Sequence, residues 1–386
     1  MDRDFVYLNH AGTSWPKPDP VIKAVSQAMM SSPVEWPGEF QRAHEAACRF
    51  LGVRNTEQLI LTPGCTSSLA TALALVDIPY GSQVITSCWE HHALSGPLLR
   101  LRERNVTVRV LPPGELGLGV DLSRFEGLLS HGHTALVAIT AACNVTGDLL
   151  PIYDIISIAQ RFGVMVLIDA AQAIGWLDLQ FDELGADFVA FGGHKALQAP
   201  LGIGGLYVSD SAHMKCGGAT CELPAASGAR GDESQHGKTR RPGPSYCDVG
   251  SVDLVALGGL QASFEWLRQT ESQIRLATAR KQTAQLRDTL AQFPCVHIHG
   301  HFCAEQRLPA IAFHAEGIKS AILAEQLSRH GVIVGSGLQC SPLSHQTLGT
   351  TQHGVVRLSV GIEQSDQDIA TARKRLQIAL TDLGLR

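Results

Sequence analysis

Val-Leu-Ile-Asp-Ala-Ala-Gln (166–172) and Phe-Val-Ala-Phe-Gly-Gly-His-Lys (188–195) are the stretches on which the reading of this chain turns. Each opens as an apolar run of one strand's length and closes on polar residues after small ones. Runs of Val, Ile, Leu and Phe without alternation predict strands covered on both faces, as in a parallel sheet. Two such strands bring the carboxylate of Asp169 and the amine of Lys195 to neighbouring strand ends.

The pattern extends outward on both sides. Between about 41 and 210, strands are predicted at 58–62, 83–87, 106–111, 135–140, 164–169, 188–191 and 205–208. Helices are predicted between them at 41–51, 66–76, 92–103 and 152–162. This alternation predicts an α/β unit with a mainly parallel sheet sandwiched by helices, and ligands gather beyond the carboxyl ends of such strands. Gly64-Cys65-Thr66, Glu90-His91, Asn144, Asp169 and His194-Lys195 all fall there. Residues 217–246 lack an apolar period and read as a long loop, either functional, as a lid or a subunit contact, or disordered. Helices over 252–293 then lead to short strands at 296–299, 309–314, 332–334 and 355–360, with helices at 318–330 and 366–383. The expected division is a large domain over 16–255 and a smaller α+β domain over 256–386, joined by the N-terminal segment 1–15.

Composition narrows the function. With 386 residues, 45% apolar and 17% charged, the chain can build more than one core. A net charge of −5 with no basic stripe gives a nucleic-acid-binding reading no support. No apolar run is long enough for a membrane span and Met-Asp-Arg-Asp is no signal peptide, so a cytoplasmic protein with no membrane partner is expected. The ten cysteines are scattered and suggest no disulfide scaffold. His297, His299 and His301 alternate, but a polar strand edge explains them better than a metal, and no metal is expected.

Pyridoxal phosphate uses a pair like Asp169 and Lys195: a lysine that forms a Schiff base, and a carboxylate that keeps the pyridine nitrogen protonated as an electron sink. Solvated strand-end charges are the ordinary alternative. The order of the two motifs, their strand context and the flanking glycines favour the cofactor. Thr66, opening a helix after a glycine turn, suits its phosphate.

Together these motifs resemble the class V aminotransferase-fold enzymes, closest to the cysteine desulfurase and selenocysteine lyase branch. The resemblance runs from Tyr-Leu-Asn-His-Ala-Gly-Thr-Ser-Trp-Pro-Lys-Pro (7–18) to Val-Arg-Leu-Ser-Val-Gly (356–361). It implies the pyridoxal phosphate-dependent transferase fold type I. It also implies Lys195 as the Schiff-base lysine and Cα base, and Asp169 as the pyridinium partner. Gln172 matches the residue bonded to the ring hydroxyl, and His91 the imidazole stacked on the ring. Cys65, Thr66 and His194 fall at the phosphate, and Asn144 between ring and substrate carboxylate. Arg357 matches the arginine whose fork holds that carboxylate. Ser251 stands where relatives reach across a dimer interface, which implies a homodimer.

Cys340, in Gly-Leu-Gln-Cys-Ser-Pro-Leu-Ser-His (337–345), matches the segment carrying the nucleophilic cysteine. The resemblance therefore implies conversion of L-cysteine to L-alanine, with a persulfide on Cys340 and a sulfur-acceptor protein downstream. The alternative is a C–S lyase or epimerase of the same fold, acting on another β-substituted amino acid without Cys340. A catalytically weak scaffold protein is a third reading, against which the Asp169–Lys195 pair argues. The chain departs from the desulfurase pattern at Gly192, Gln339, Gly335, Asn9-His10 and Ile362-Glu363-Gln364. Most of these changes gather on the substrate side.

Overall fold

The computed structural model describes residues 5–117, 119–216, 253–301 and 303–385. Ser251 and the loop over 217–246 lie outside the described residues. After a short N-terminal strand β1 (Val6–Tyr7), seven strands form the central sheet. They are β2 (Leu59–Thr62), β3 (Gln83–Ser87), β4 (Thr107–Leu111), β5 (Thr134–Thr140), β6 (Met165–Asp169), β7 (Phe188–Gly192) and β8 (Gly204–Val208), in the order β2-β8-β7-β6-β5-β3-β4. Only β8 runs against its neighbours. The sheet is thus mainly parallel, as its uninterrupted apolar strands require.

Alternate residues of each strand feed two different cores. Val137, Ile139, Val166 and Ile168 pack with the helices Trp36–Leu51, Ile152–Arg161 and Leu254–Leu267. Leu136, Ala138 and Leu167 pack on the other face with the helices Cys65–Leu75 and His92–Arg100. The edge strand β4 alone alternates buried with exposed positions.

A second, antiparallel sheet follows, built from β9 (Val296–His299), β10 (Ala310–Ala315), β12 (Gly335–Gly337) and β13 (Val355–Ser359) in the order β12-β13-β10-β9. Between β10 and β12, β11 (Val332–Ile333) pairs in parallel with β1. Val6 and Leu8 consequently share a core with Leu323, Leu327, Val356 and Leu358. The run 337–345 is non-helical from Leu338 through Ser341 and enters a helix at Pro342–Leu348. Proline in a first helical turn loses no hydrogen bond, so the residue that reads as a breaker is here a start signal.

Candidate active site

A cavity of about 980 Å³ opens at the carboxyl ends of β3, β5, β6 and β7. The strand order reverses between β3 and β5, and such a switch point leaves a crevice between diverging loops. Cys65, Thr66, His91, Asn144, Asp169, Gln172, His194, Lys195, Cys340 and Arg357 all line this one space. Ser251 lies outside the described residues.

Asp169 closes β6 and is 3% exposed. Its Oδ1 accepts the Ala171 amide at 2.9 Å and the Cys65 thiol at 3.4 Å. Burial pushes the carboxyl above its ordinary range, while the Ala171 amide and Lys195 pull the other way. Lys195 follows β7 on the neighbouring strand end; burial pushes its amine down and Asp169 pulls it back up. An amine biased toward its free base is both a nucleophile and a base. Its peptide is clamped from the N-terminal segment: the His194 carbonyl accepts the Ser14 amide at 2.9 Å and Lys17 Nζ at 3.0 Å.

His91 caps the helix His92–Arg100, with Nδ1 accepting the Ala93 amide at 3.1 Å. In the neutral ring the proton therefore sits on Nε2. Burial, followed by the charges of Lys195 and His92, lowers its pKa to about 4. Behind it, fully buried Glu90 shares a 2.5 Å hydrogen bond with the Ser87 hydroxyl and accepts the Thr140 amide at 2.9 Å. Burial raises Glu90 from 4.5 to about 8. The folded chain then keeps a proton that the unfolded chain gives up, so Glu90 makes stability fall as pH rises across that window. Glu90→Gln keeps the shape and both partners without the titration. Thermal melts at pH 5.5 and 8.5 should show a smaller alkaline loss in the variant; equal losses would sink this account.

The opposite end of the cavity suits an anion. The helix Cys65–Leu75 starts directly after β2, through Gly64 at φ +138°, a conformation that favours glycine. Its first residues line the cavity and offer amides with no partner inside the helix. Nearby, Nδ1 of His194 is buried without a hydrogen-bond partner. At the other side a buried carboxylate served by one amide and one thiol requires a proton or a cation. A phosphate at Thr66 and His194, a basic ring nitrogen at Asp169 and an aldehyde within reach of Lys195 would meet these needs. The residues fit pyridoxal phosphate.

The substrate side is built from the second sheet. Arg357 on β13 is 4% exposed. It donates to the Asn144 carbonyl at 2.7 Å and to Asn9 Oδ1 at 3.0 Å, while its Nε has no partner. Burial lowers its pKa to about 10, which leaves it cationic at neutral pH. Asn144 in turn donates to the Gln339 carbonyl at 2.6 Å and accepts the Ser341 hydroxyl at 2.5 Å. These contacts hold the exposed Cys340 at the mouth, where its carbonyl accepts the His92 amide at 2.7 Å. Asn9, Ser341 and Lys17 are parts of the site that reading the sequence missed. Asn9 carried one signal, as a departure from the family pattern beside His10.

The aminotransferase class-V family model matches residues 6–371. The chain belongs to the class-V aminotransferase family. Family members work with pyridoxal phosphate, in keeping with the cavity. The chain is 27% identical to a probable cysteine desulfurase of Methanothermobacter thermautotrophicus, over 97% of this chain and 94% of that protein. It is 28% identical to a probable cysteine desulfurase of Chlamydia muridarum, with the same coverage. Among solved structures it resembles the cysteine desulfurase of Thermococcus onnurineus at a TM-score of 0.88 and 22% identity, covering 98% of this chain and 95% of that one. The Escherichia coli cysteine desulfurase CsdA matches at a TM-score of 0.82 and 22% identity, with the same coverage. The fold is therefore shared over 98% of this chain.

Proposed function

We propose that this class-V family member is a cysteine desulfurase, converting L-cysteine to L-alanine and leaving the sulfur as a persulfide on Cys340. The observation that carries this reading is one cavity lined by an amine base, a buried arginine and an exposed thiol: Lys195, Arg357 and Cys340. Bound pyridoxal phosphate supplies an aldehyde that links to amines and a protonated ring that draws electron density from the substrate's Cα. Asp169 would hold that ring nitrogen protonated; Thr66, His194 and the helix start would hold the phosphate. Arg357 binds the substrate carboxylate through its fork, and Lys195 Nζ takes the Cα proton. His91 covers one side of the cavity with a neutral ring. The Cys340 thiolate forms a bond to the substrate sulfur as the C–S bond breaks, and the pair left on the β-carbon takes a proton, giving alanine.

The reading includes a homodimer and a sulfur-accepting protein. Exposed Met29, Met30, Val34 and Trp36 support the first, and the exposure of Cys340 the second. The test is the product. Wild type should release alanine from L-cysteine in step with sulfide freed by a reductant, and Cys340→Ala should lose both. Pyruvate and ammonia, unaffected in Cys340→Ala, would instead establish the C–S lyase.

A further inference from the structure

Three soft ligands converge at the cavity mouth from distant parts of the chain. A ring nitrogen of His91, one of His92 and Sγ of Cys340 all lie within 4.8 Å of one another. Among the described residues no other group of three His, Cys, Asp or Glu side chains meets in this way. The stacked histidines His297, His299 and His314 do not.

We propose that His91, His92 and Cys340 bind Zn(II), with water in the fourth position. Two imidazoles and a thiol, with no carboxylate, form a set that selects Zn(II) over Mg(II) or Ca(II). The backbone brings the two ligand segments together. The His92 amide donates to the Cys340 carbonyl at 2.7 Å, which ties the two ligand segments directly. Asn144 fixes the Gln339 carbonyl at 2.6 Å and the Ser341 hydroxyl at 2.5 Å, on either side of Cys340. Gln339 and Cys340 both adopt left-handed backbone, at φ +48° and +57°. Non-glycine residues hold that conformation only where their surroundings impose it. Consecutive residues supply the two imidazoles, whose ring centroids lie 4.7 Å apart.

Tetrahedral zinc ligands sit roughly 3.3–3.6 Å from one another, given bonds of about 2.0–2.3 Å. His92 and Cys340 are exposed, so rotation of their side chains closes the remaining distance. Binding forms two Zn–N bonds and one Zn–S bond and releases the Cys340 thiol proton to solvent. Whichever nitrogen of His91 binds, Nδ1 stops accepting the Ala93 amide. The ion occupies the sulfur used in the proposed reaction, so bound Zn(II) holds that reaction off. The site itself stands without that reading.

The test is a titration of the holoenzyme with Co(II), with no substrate present. One equivalent should develop intense ligand-field bands in the red, away from the cofactor's absorption, and Zn(II) should displace it. His92→Ala and Cys340→Ser should each weaken Co(II) binding by more than about 100-fold, since loss of even an outer-shell partner costs roughly 10–100-fold. Cys303→Ser removes another exposed cysteine and should change nothing. Retained cofactor absorbance shows that each variant is folded. Binding unchanged in His92→Ala and Cys340→Ser, or only the weak spectrum of octahedral cobalt, overturns the site. Because the spectrum is read without turnover, failure of the desulfurase reading is told apart from failure of the metal site.

Discussion

Lys195→Ala lowers kcat/KM for L-cysteine by at least about 10⁴-fold, because one substitution removes both the covalent anchor and the base. A positioned base alone contributes roughly 10²–10⁴-fold. Lys195 is the only lysine lining the cavity among the described residues, so no second amine is in place to substitute. Lys17, the nearby candidate, is committed to Ser14 and the His194 carbonyl. Lys195→Arg should not rescue, since a guanidinium stays protonated and cannot act as nucleophile or base. The visible absorbance of the linked cofactor should vanish in Lys195→Ala, whereas the unlinked cofactor remains free to bind through Asp169, Thr66 and His194. If that absorbance persists and activity falls less than tenfold, another amine performs these steps and the assignment is wrong.

What the sequence discloses, and what it hides, follows from the range of the interactions. The buried strands are legible because packing on both faces leaves runs such as Val166–Ile168 and Val189–Phe191 with no polar interruption. Asp169 and Lys195 are legible because each ends such a run, and the sheet then sets β6 beside β7. The helix Asp19–Ala28 is hidden by prolines on either side of Asp19, since proline breaks a helix interior although a first helical turn tolerates it. Pro342 conceals the helix Pro342–Leu348 in the same way.

The substrate side is harder to read for another reason. Arg357 meets Asn9 across 348 residues, and Asn144 meets Ser341 across 197. Single contacts at such separations leave no period in the sequence. Gln339 illustrates the consequence. As a letter it is only a departure from the desulfurase pattern. In the fold its carbonyl is an anchor for Asn144, and its side-chain Nε2 is buried without a hydrogen-bond partner. The His91–His92–Cys340 group is invisible in sequence for the same reason, since its members come from β3's end and from the turn before Pro342.

Arg357→Ala should cost about 10²–10⁴-fold in kcat/KM, because a bidentate pair loses two charge-assisted hydrogen bonds of roughly 1.5–3 kcal/mol each. The loss should fall mainly on KM. The carboxylate does not react, so its contacts are made equally in the ground and transition states. Arg357→Lys should recover little of it, because an ammonium lacks the fork and the Asn144 carbonyl and Asn9 Oδ1 already claim two donors at 2.7 and 3.0 Å. Among the described residues no carboxylate pairs with Arg357, so this buried cation depends on a ligand's charge for compensation. Cysteamine, which has the same amine and thiol without the carboxylate, separates this role from a structural one. Wild type should strongly prefer L-cysteine over cysteamine, and Arg357→Ala should erase most of that preference by losing only the former. If the variant slows both substrates alike, Arg357 supports the loop carrying Cys340 instead, and the carboxylate is bound elsewhere.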